Sequence, residues 1–366
     1  MRAAVLHEHR RPFAIEEVDL APPGQGEVEV RLHASGVCRS DWSTVTGDTP
    51  NPLPAVLGHE GAGVVERVGP RVASVEPGDH VVLSWLPYCG RCPHCTSGRL
   101  TLCDVAAPAL LAGTLLDGTT RLSLDGRPVH HYSFLSTFAD RTVVPEASCV
   151  RIRRDAPLRV AALVGCAIAT GVGAVVNRAR LAPGSSLAVF GAGGVGLSAV
   201  QAGVLSGAGT VVAVDPAPAR RGLALDLGAA HAVDPGDGDP AEAVRELIGG
   251  RGADYAVESS GAPGAATAAF RSIRRGGTLV CVGLPPAGAS VEFPGPELVR
   301  DEKTVMGCLY GSCRPHTDMP MLIDLHMAGR LQLDRLMGAV YPLDEIDRAF
   351  ADMLDGAGAR TLIDLS

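Results

Sequence analysis

The stretch from residue 187 to 215, LAVFGAGGVGLSAVQAGVLSGAGTVVAVD, carries no charge until the acid that ends it. A run so long and so apolar has two ways to fold: as a membrane span, which needs ~20 such residues, or as a buried strand, turn, helix and second strand. The glycines favour the second. Gly191, Gly193 and Gly196 follow the apolar run 187–190 and open an apolar helix. In that context Gly191 permits a tight turn, Gly193 lets backbone approach a pyrophosphate, and Gly196 lets helix and strand pack closely. The helix N-terminus then faces the anion with unpaired N–H groups, Gly194 and Val195 of the same pattern being counted with the glycines as cofactor-binding.

Asp215 ends the second strand, 210–214. It lies at about the twenty-residue distance expected of the carboxylate that accepts hydrogen bonds from an adenosine ribose. Such a carboxylate repels a 2′-phosphate, so NAD is favoured over NADP, and Arg220 nearby is the one feature of opposite tendency. Beyond Asp215, helical patterns at 219–228, 241–248 and 265–274 alternate with apolar strands at 253–259 and 278–284. Parallel neighbours require crossover connections, so this alternation predicts a doubly wound parallel sheet.

The 366 residues suggest two domains at roughly 150 residues each. The part before the glycine turn is β-rich: residues 27–32 alternate, and strands at 64–68 and 80–83 are joined by a Pro-Gly-Asp turn. A small apolar segment, 160–176, predicts a buried helix carrying Cys166, short for a membrane span. In the tail, helices at 319–328 and 343–354 and a strand at 360–365 are expected to return to the first domain.

With a net charge of −8 and no basic run, neither nucleic acid nor an anionic membrane surface is an expected partner. Lys303 is the sole lysine. The first residues show no apolar core followed by a cleavage site, so the expected compartment is the cytoplasm. In a reducing compartment clustered cysteines more often bind metal than pair. Cys89, Cys92, Cys95 and Cys103 form a C-x2-C-x2-C-x7-C array. Four thiolates in one short loop close a tetrahedral Zn²⁺ site with no position left for substrate. An iron–sulfur cluster and free thiols are the competing readings, and zinc is favoured because no second cysteine cluster accompanies the first.

Cys38, the Gly58-His59-Glu60 stretch, the four-cysteine loop, Cys166 and the glycine turn occur in one order along the chain. In this the sequence resembles the zinc-dependent medium-chain alcohol dehydrogenases over essentially its whole length. Taken singly, a buried cysteine is a small apolar filler and a histidine a satisfied core residue; the resemblance is what joins Cys38, His59 and Cys166 into one site. It implies an α/β fold, with a GroES-like β-rich catalytic domain from residues 1–167 and 312–366 and a Rossmann domain from 168–311. It also implies two zinc ions per chain, one structural in the four-cysteine loop and one catalytic on Cys38, His59 and Cys166. The activity implied is hydride transfer between NAD(H) and an alcohol or aldehyde by way of a zinc-bound alkoxide.

Carried over by position, Glu60 would serve as an exchange ligand, Asp41 would orient the ring of His59, and Ser40 would meet the alcohol oxygen and pass on its proton. Arg39 and Arg360 would reach the cofactor pyrophosphate, Arg220 the adenosine ribose, and Thr170 and Val195 the nicotinamide. Thr49, Trp85, Tyr132 and Leu284 would line a pocket suited to an apolar or aromatic alcohol. The long 104–134 insertion is similar to that of the family's dimers, so a homodimer is expected, with a tetramer as the alternative.

Two departures stand out. Ser43 takes the place of the histidine that completes the family's proton relay. The long-chain, class III-like branch binds the carboxylate of a glutathione adduct with an arginine just after the fourth loop cysteine, and Asp104-Val105-Ala106-Ala107 contains none. The other readings are a zinc-independent NAD(P)H reductase on the same scaffold, a thiol-adduct formaldehyde dehydrogenase, and a non-catalytic dinucleotide-binding protein. Two zinc ions per chain would support the zinc-dependent reading and one the zinc-independent or non-catalytic reading, and NADH formation with benzyl alcohol would separate enzyme from binder.

Overall fold

In the computed structural model, which describes residues 1–286, 288–356 and 359–366, the uncharged stretch folds as the strand Ser186–Phe190, the helix Gly194–Leu205 and the strand Thr210–Val214. Every residue of Ser186–Phe190 is buried, which suits a strand covered on both faces by crossover helices. Among the described residues six strands lie in the order His231–Val233, Thr210–Val214, Ser186–Phe190, Ala253–Glu258, Ile273–Cys281, Thr304–Gly307, and each neighbouring pair is parallel. The order reverses between Ser186–Phe190 and Ala253–Glu258. The carboxyl ends of two such strands frame the crevice in which doubly wound sheets hold ligands.

Three crossover helices, Pro218–Asp226, Pro240–Leu247 and Pro263–Ser272, each open on proline, whose fixed φ and missing N–H suit a first turn. Asp239 caps the second of them by accepting from the Ala241 N–H at 2.8 Å. One strand differs from expectation. It runs Ile273–Cys281, and beyond it the N–H groups of Val282 and Gly283 turn to the Glu258 carbonyl at 2.8 and 3.0 Å.

The chain divides into two units: Met1–Cys166 with Arg314–Ser366, and Ala167–Cys313. In the first, the long strand Glu27–Gly36 is the axis. It pairs antiparallel with Glu60–Val68, with Arg141–Pro145 and, from the far end of the sequence, with Arg360–Asp364. Leu32, Leu83, Phe134 and Leu135 are among the side chains of the core around it.

The helix that carries Cys166 is longer than its sequence pattern suggests. It spans Leu158–Ala179, 22 residues, and the most apolar part of it is 83% buried. Its length would cross a membrane, but most of its apolar side chains are already covered by protein, Val176 being the exposed exception among the large ones described. Two wider π-helical turns interrupt it, at Val164–Ile168 and Ala174–Ala179, a distortion often found where a helix supplies a functional group.

Candidate active site

Strand register brings the distant residues of the first unit together. Gly36 lies opposite Glu60 on one side and Leu362 on the other. Cys38 two residues past Gly36, His59 just before Glu60, and Arg360 two before Leu362 therefore arrive at one end of the sheet. Cys166 joins them from the π-helical turn. That turn packs close because residue 165 is glycine: a Cβ there would lie 2.9 Å from the Leu83 carbonyl oxygen. The ligand atoms of Cys38, His59, Glu60 and Cys166 all lie within 4.8 Å of one another.

Asp41 organises this group. It lies in the first turn of the helix Arg39–Thr46, of which Cys38 is the N-cap. One carboxylate oxygen accepts from the Cys38 N–H at 3.0 Å and the other meets His59 Nδ1 at 2.9 Å. With Nδ1 engaged, Nε2 is the nitrogen left for a metal. Burial pushes the Asp41 carboxyl up. Burial also works against charge on His59, but the Asp41 carboxylate and the Cys38 thiolate outweigh it and hold the imidazole at about 10. The Cys38 thiol is held well below its usual range, first by hydrogen bonding with Cys166, against the effect of burial, and then by the charges of Arg360 and His59. Two sulfurs, one of them on an acidified thiol, an imidazole nitrogen and a buried carboxylate, packed this closely, are the donor set of a borderline-soft divalent cation such as Zn²⁺. Glu60, fully buried, is paired with the Arg360 guanidinium.

Of the expected pocket, two rings reach this group. Trp85 and Tyr132 stand edge-on to His59 with ring centroids at 6.2 and 5.7 Å, and the Tyr132 hydroxyl donates to the Ser40 carbonyl at 3.1 Å. Thr49 is exposed, its N–H donating to the Ser43 carbonyl at 2.9 Å. Leu284 belongs to the second unit and is 78% exposed. Ser40 Oγ lies 3.7 Å from Cys38 Sγ. Ser43, at the place of the relay histidine, donates its hydroxyl to the Arg39 carbonyl at 3.2 Å, so that hydroxyl is spent on the helix. Arg39 itself is exposed.

The second cluster is the cysteine loop. The sulfurs of Cys89, Cys92, Cys95 and Cys103 lie within 4.8 Å of one another. Backbone N–H groups point at them: Cys89 N–H at Cys103 Sγ and Cys92 N–H at Cys89 Sγ, each 3.3 Å. Backbone donors, the Arg91 N–H foremost, bring Cys89 down to about 6, whereas burial and its thiol neighbours push Cys95 up to about 12. Four sulfurs in one place cannot all ionise unless a cation shares them, and a closed tetrahedral zinc site meets that requirement.

In the second unit the three glycines have separate reasons. Gly191 has φ +89°, and a Cβ on Gly196 would lie 1.7 Å from the Gly191 carbonyl oxygen, whereas one on Gly193 would meet nothing within 4 Å. Gly193 caps the helix Gly194–Leu205. Thr170 is buried, and a Cβ on Gly171 beside it would lie 2.1 Å from the carbonyl of Val195. Asp215 is 3% exposed, and its carboxylate accepts from the N–H groups of Ala192 at 2.7 Å and Ala217 at 2.9 Å. Arg221 donates to the Asp215 carbonyl at 2.8 Å and pairs with Asp234, and Arg220 beside it is half-buried.

Residues 24–154 match the alcohol dehydrogenase GroES-like domain and residues 194–327 the zinc-binding dehydrogenase family. The NDMA-dependent alcohol dehydrogenase of Amycolatopsis methanolica is 40% identical over 365 residues, which cover 99% of this chain and 98% of that protein. Among solved structures, an alcohol dehydrogenase zinc-binding domain protein from Burkholderia ambifaria has a TM-score of 0.96 at 40% identity, covering 100% of this chain and 98% of the other. Benzyl alcohol dehydrogenase from Acinetobacter calcoaceticus has a TM-score of 0.95 at 34% identity, with coverage of 100% and 99%. Likeness of this extent, in sequence and in backbone, shows that the chain belongs to the zinc-binding alcohol dehydrogenases, oxidoreductases that join a GroES-like domain to a Rossmann domain.

Proposed function

We propose that this protein transfers hydride between NAD(H) and an apolar or aromatic alcohol or aldehyde, with one zinc held by Cys38, His59 and Cys166 and a second by Cys89, Cys92, Cys95 and Cys103. The observation that carries this reading is the buried donor set of Cys38, His59, Glu60 and Cys166 within 4.8 Å, with the His59 ring fixed by Asp41. A Zn²⁺ there supplies Lewis acidity at the substrate oxygen, and NAD supplies the hydride acceptor.

The chain's own residues do the rest. Asp41 sets the His59 tautomer and so directs Nε2 to the metal. Ser40, whose hydroxyl lies beside Cys38, takes the proton released by the alcohol. Trp85 and Tyr132 form an apolar wall around His59 that suits an aromatic ring, an inference supported by the benzyl alcohol dehydrogenase among the related structures. Glu60, paired with Arg360, is a carboxylate held in reserve behind the ligands. Asp215 at the strand end supports NAD over NADP. Residues 1–167 with 312–366 act as the catalytic domain and 168–311 as the cofactor domain, in a cytoplasmic homodimer.

The test is metal content by mass spectrometry together with a panel of alcohols and aldehydes assayed with NAD(H) and NADP(H). Two zinc ions per chain and NADH formation from benzyl alcohol are expected. One zinc per chain, or turnover confined to S-(hydroxymethyl)glutathione, overturns the proposal; light scattering checks the dimer.

A further inference from the structure

The Gly191–Ala192 peptide group is gripped at both ends by side chains from the two strands that flank it. Its N–H donates to Asp215 Oδ2 at 2.7 Å, at the end of the strand Thr210–Val214. Its carbonyl accepts from the Ser259 hydroxyl at 2.9 Å, just past the strand Ala253–Glu258. The Ser259 N–H also donates to the Phe190 carbonyl at 2.9 Å, and its hydroxyl lies 3.2 Å from that carbonyl but closer to the Gly191 oxygen, so the residue is tied to the turn through backbone and side chain. The residues that follow Ser259 are held as well. Glu258, 2% exposed, accepts through Oε1 from the N–H groups of Ser260 and Gly261 at 2.6 and 2.9 Å.

The geometry points to Ser259 as a positioning residue for the cofactor's pyrophosphate: opposite Asp215, its hydroxyl fixes the peptide plane from which the glycine turn enters the helix Gly194–Leu205. The inference rests on reading that turn as the dinucleotide site. The physical argument is rotational. A peptide unit beside a glycine with φ +89° is poorly constrained by sterics, and one hydrogen bond at one end leaves it able to tilt. Two bonds at opposite ends do not. The same carbonyl lies where a Cβ on Gly196 would fall, at 1.7 Å, and that Cβ would be 2.9 Å from Ser259 Oγ. A tilt of this peptide therefore shifts the first turn of the helix, whose unpaired N–H groups are the ones that face a diphosphate.

The experiment titrates the zinc-loaded protein with NADH, ADP-ribose and adenosine by calorimetry, using competition for the weak ligand, for wild type, Ser259→Ala and Ser259→Thr. Losing this hydrogen bond weakens NADH and ADP-ribose by about tenfold in Ser259→Ala and adenosine by less than about twofold. The threonine variant keeps the hydroxyl and binds all three as wild type does. Unchanged ADP-ribose binding in Ser259→Ala, equal weakening of adenosine, or failure of the threonine variant to restore binding each overturns the assignment. A wild-type protein that binds none of the three overturns instead the reading of the turn as a dinucleotide site.

Discussion

A Cβ on Gly36 would fall 2.2 Å from Glu60 Oε2 and 3.0 Å from Glu60 Cβ. The two residues are register partners in adjacent antiparallel strands, and the missing side chain at one is the space that holds the carboxylate of the other against Arg360. Gly36→Ala is therefore expected to displace Glu60 as a whole. It should destabilise the protein by about 1–3 kcal/mol through overpacking and lower zinc retention at Cys38, His59 and Cys166. Thermal denaturation and metal content after dialysis against a mild chelator check both; wild-type values would show that Glu60 has room to move.

Removing one side chain from each cluster separates the two proposed metal sites. Cys38→Ala should retain one zinc of two and lose turnover while NADH binding stays measurable. Cys103→Ser should lose the other zinc and become less heat-stable, because metal binding in such loops is folding free energy. Metal analysis with NADH fluorescence titration distinguishes them, and wild-type turnover in Cys38→Ala would remove the metal role.

The His59 imidazole, raised to about 10 in the metal-free chain, must lose a proton to ligate. Zinc uptake by the metal-free protein should release protons, and affinity should climb as pH rises toward 10. Asp41→Asn removes the charge that holds the imidazole up. It should flatten that dependence and weaken zinc binding by about 10–100-fold. Calorimetric zinc titrations in buffers of different ionisation enthalpy measure both quantities.

His131 gives a pH dependence of opposite sign. Burial, aided by the charge of Arg121, lowers it to about 3, and the neutral ring accepts from the Arg121 N–H at 3.3 Å. Since the unfolded chain protonates this residue near pH 6.5 and the folded chain does not, stability is full above about 6.5 and falls toward pH 3 by about 1.4 kcal/mol per unit. Urea denaturation of wild type and His131→Gln between pH 7 and 5 should show a shallower loss in the variant.

Ser43 spends its hydroxyl on the Arg39 carbonyl. Ser43→His should alter the alkaline limb of the pH–rate profile for alcohol oxidation by supplying a base at that position. An unchanged profile would show that no proton leaves by this side of the helix.

The nucleotide turn was legible in sequence because its constraints are local. Glycine spacing, the apolar strands at its flanks and Asp215 all fall within one crossover unit, so chain connectivity alone brings them together. The four-cysteine loop was legible for the same reason. Cys38, His59 and Cys166 were not legible as a site from their own surroundings, because buried cysteines and histidines are ordinary core residues; only resemblance joined them. Asp215 was visible as an acid at a strand end, but its hydrogen bonds to Ala192 and Ala217 were not. Ser259 carried no signal, since a serine following a strand is common and its partner lies 68 residues away in sequence.

By itself, then, the sequence determined the βαβ pattern, the glycine turn and the four-cysteine loop, all set by neighbours along the chain. Tertiary structure decided what depends on register and helix phase. Pairing of Gly36 with both Glu60 and Leu362 brings Arg360 to the ligands. A widened turn and a glycine at 165 let Cys166 approach. Trp85 and Tyr132 come to flank His59. A register shift of one residue would turn Glu60 or Arg360 to the other face of the sheet, and no local pattern in the sequence records which register the strands adopt.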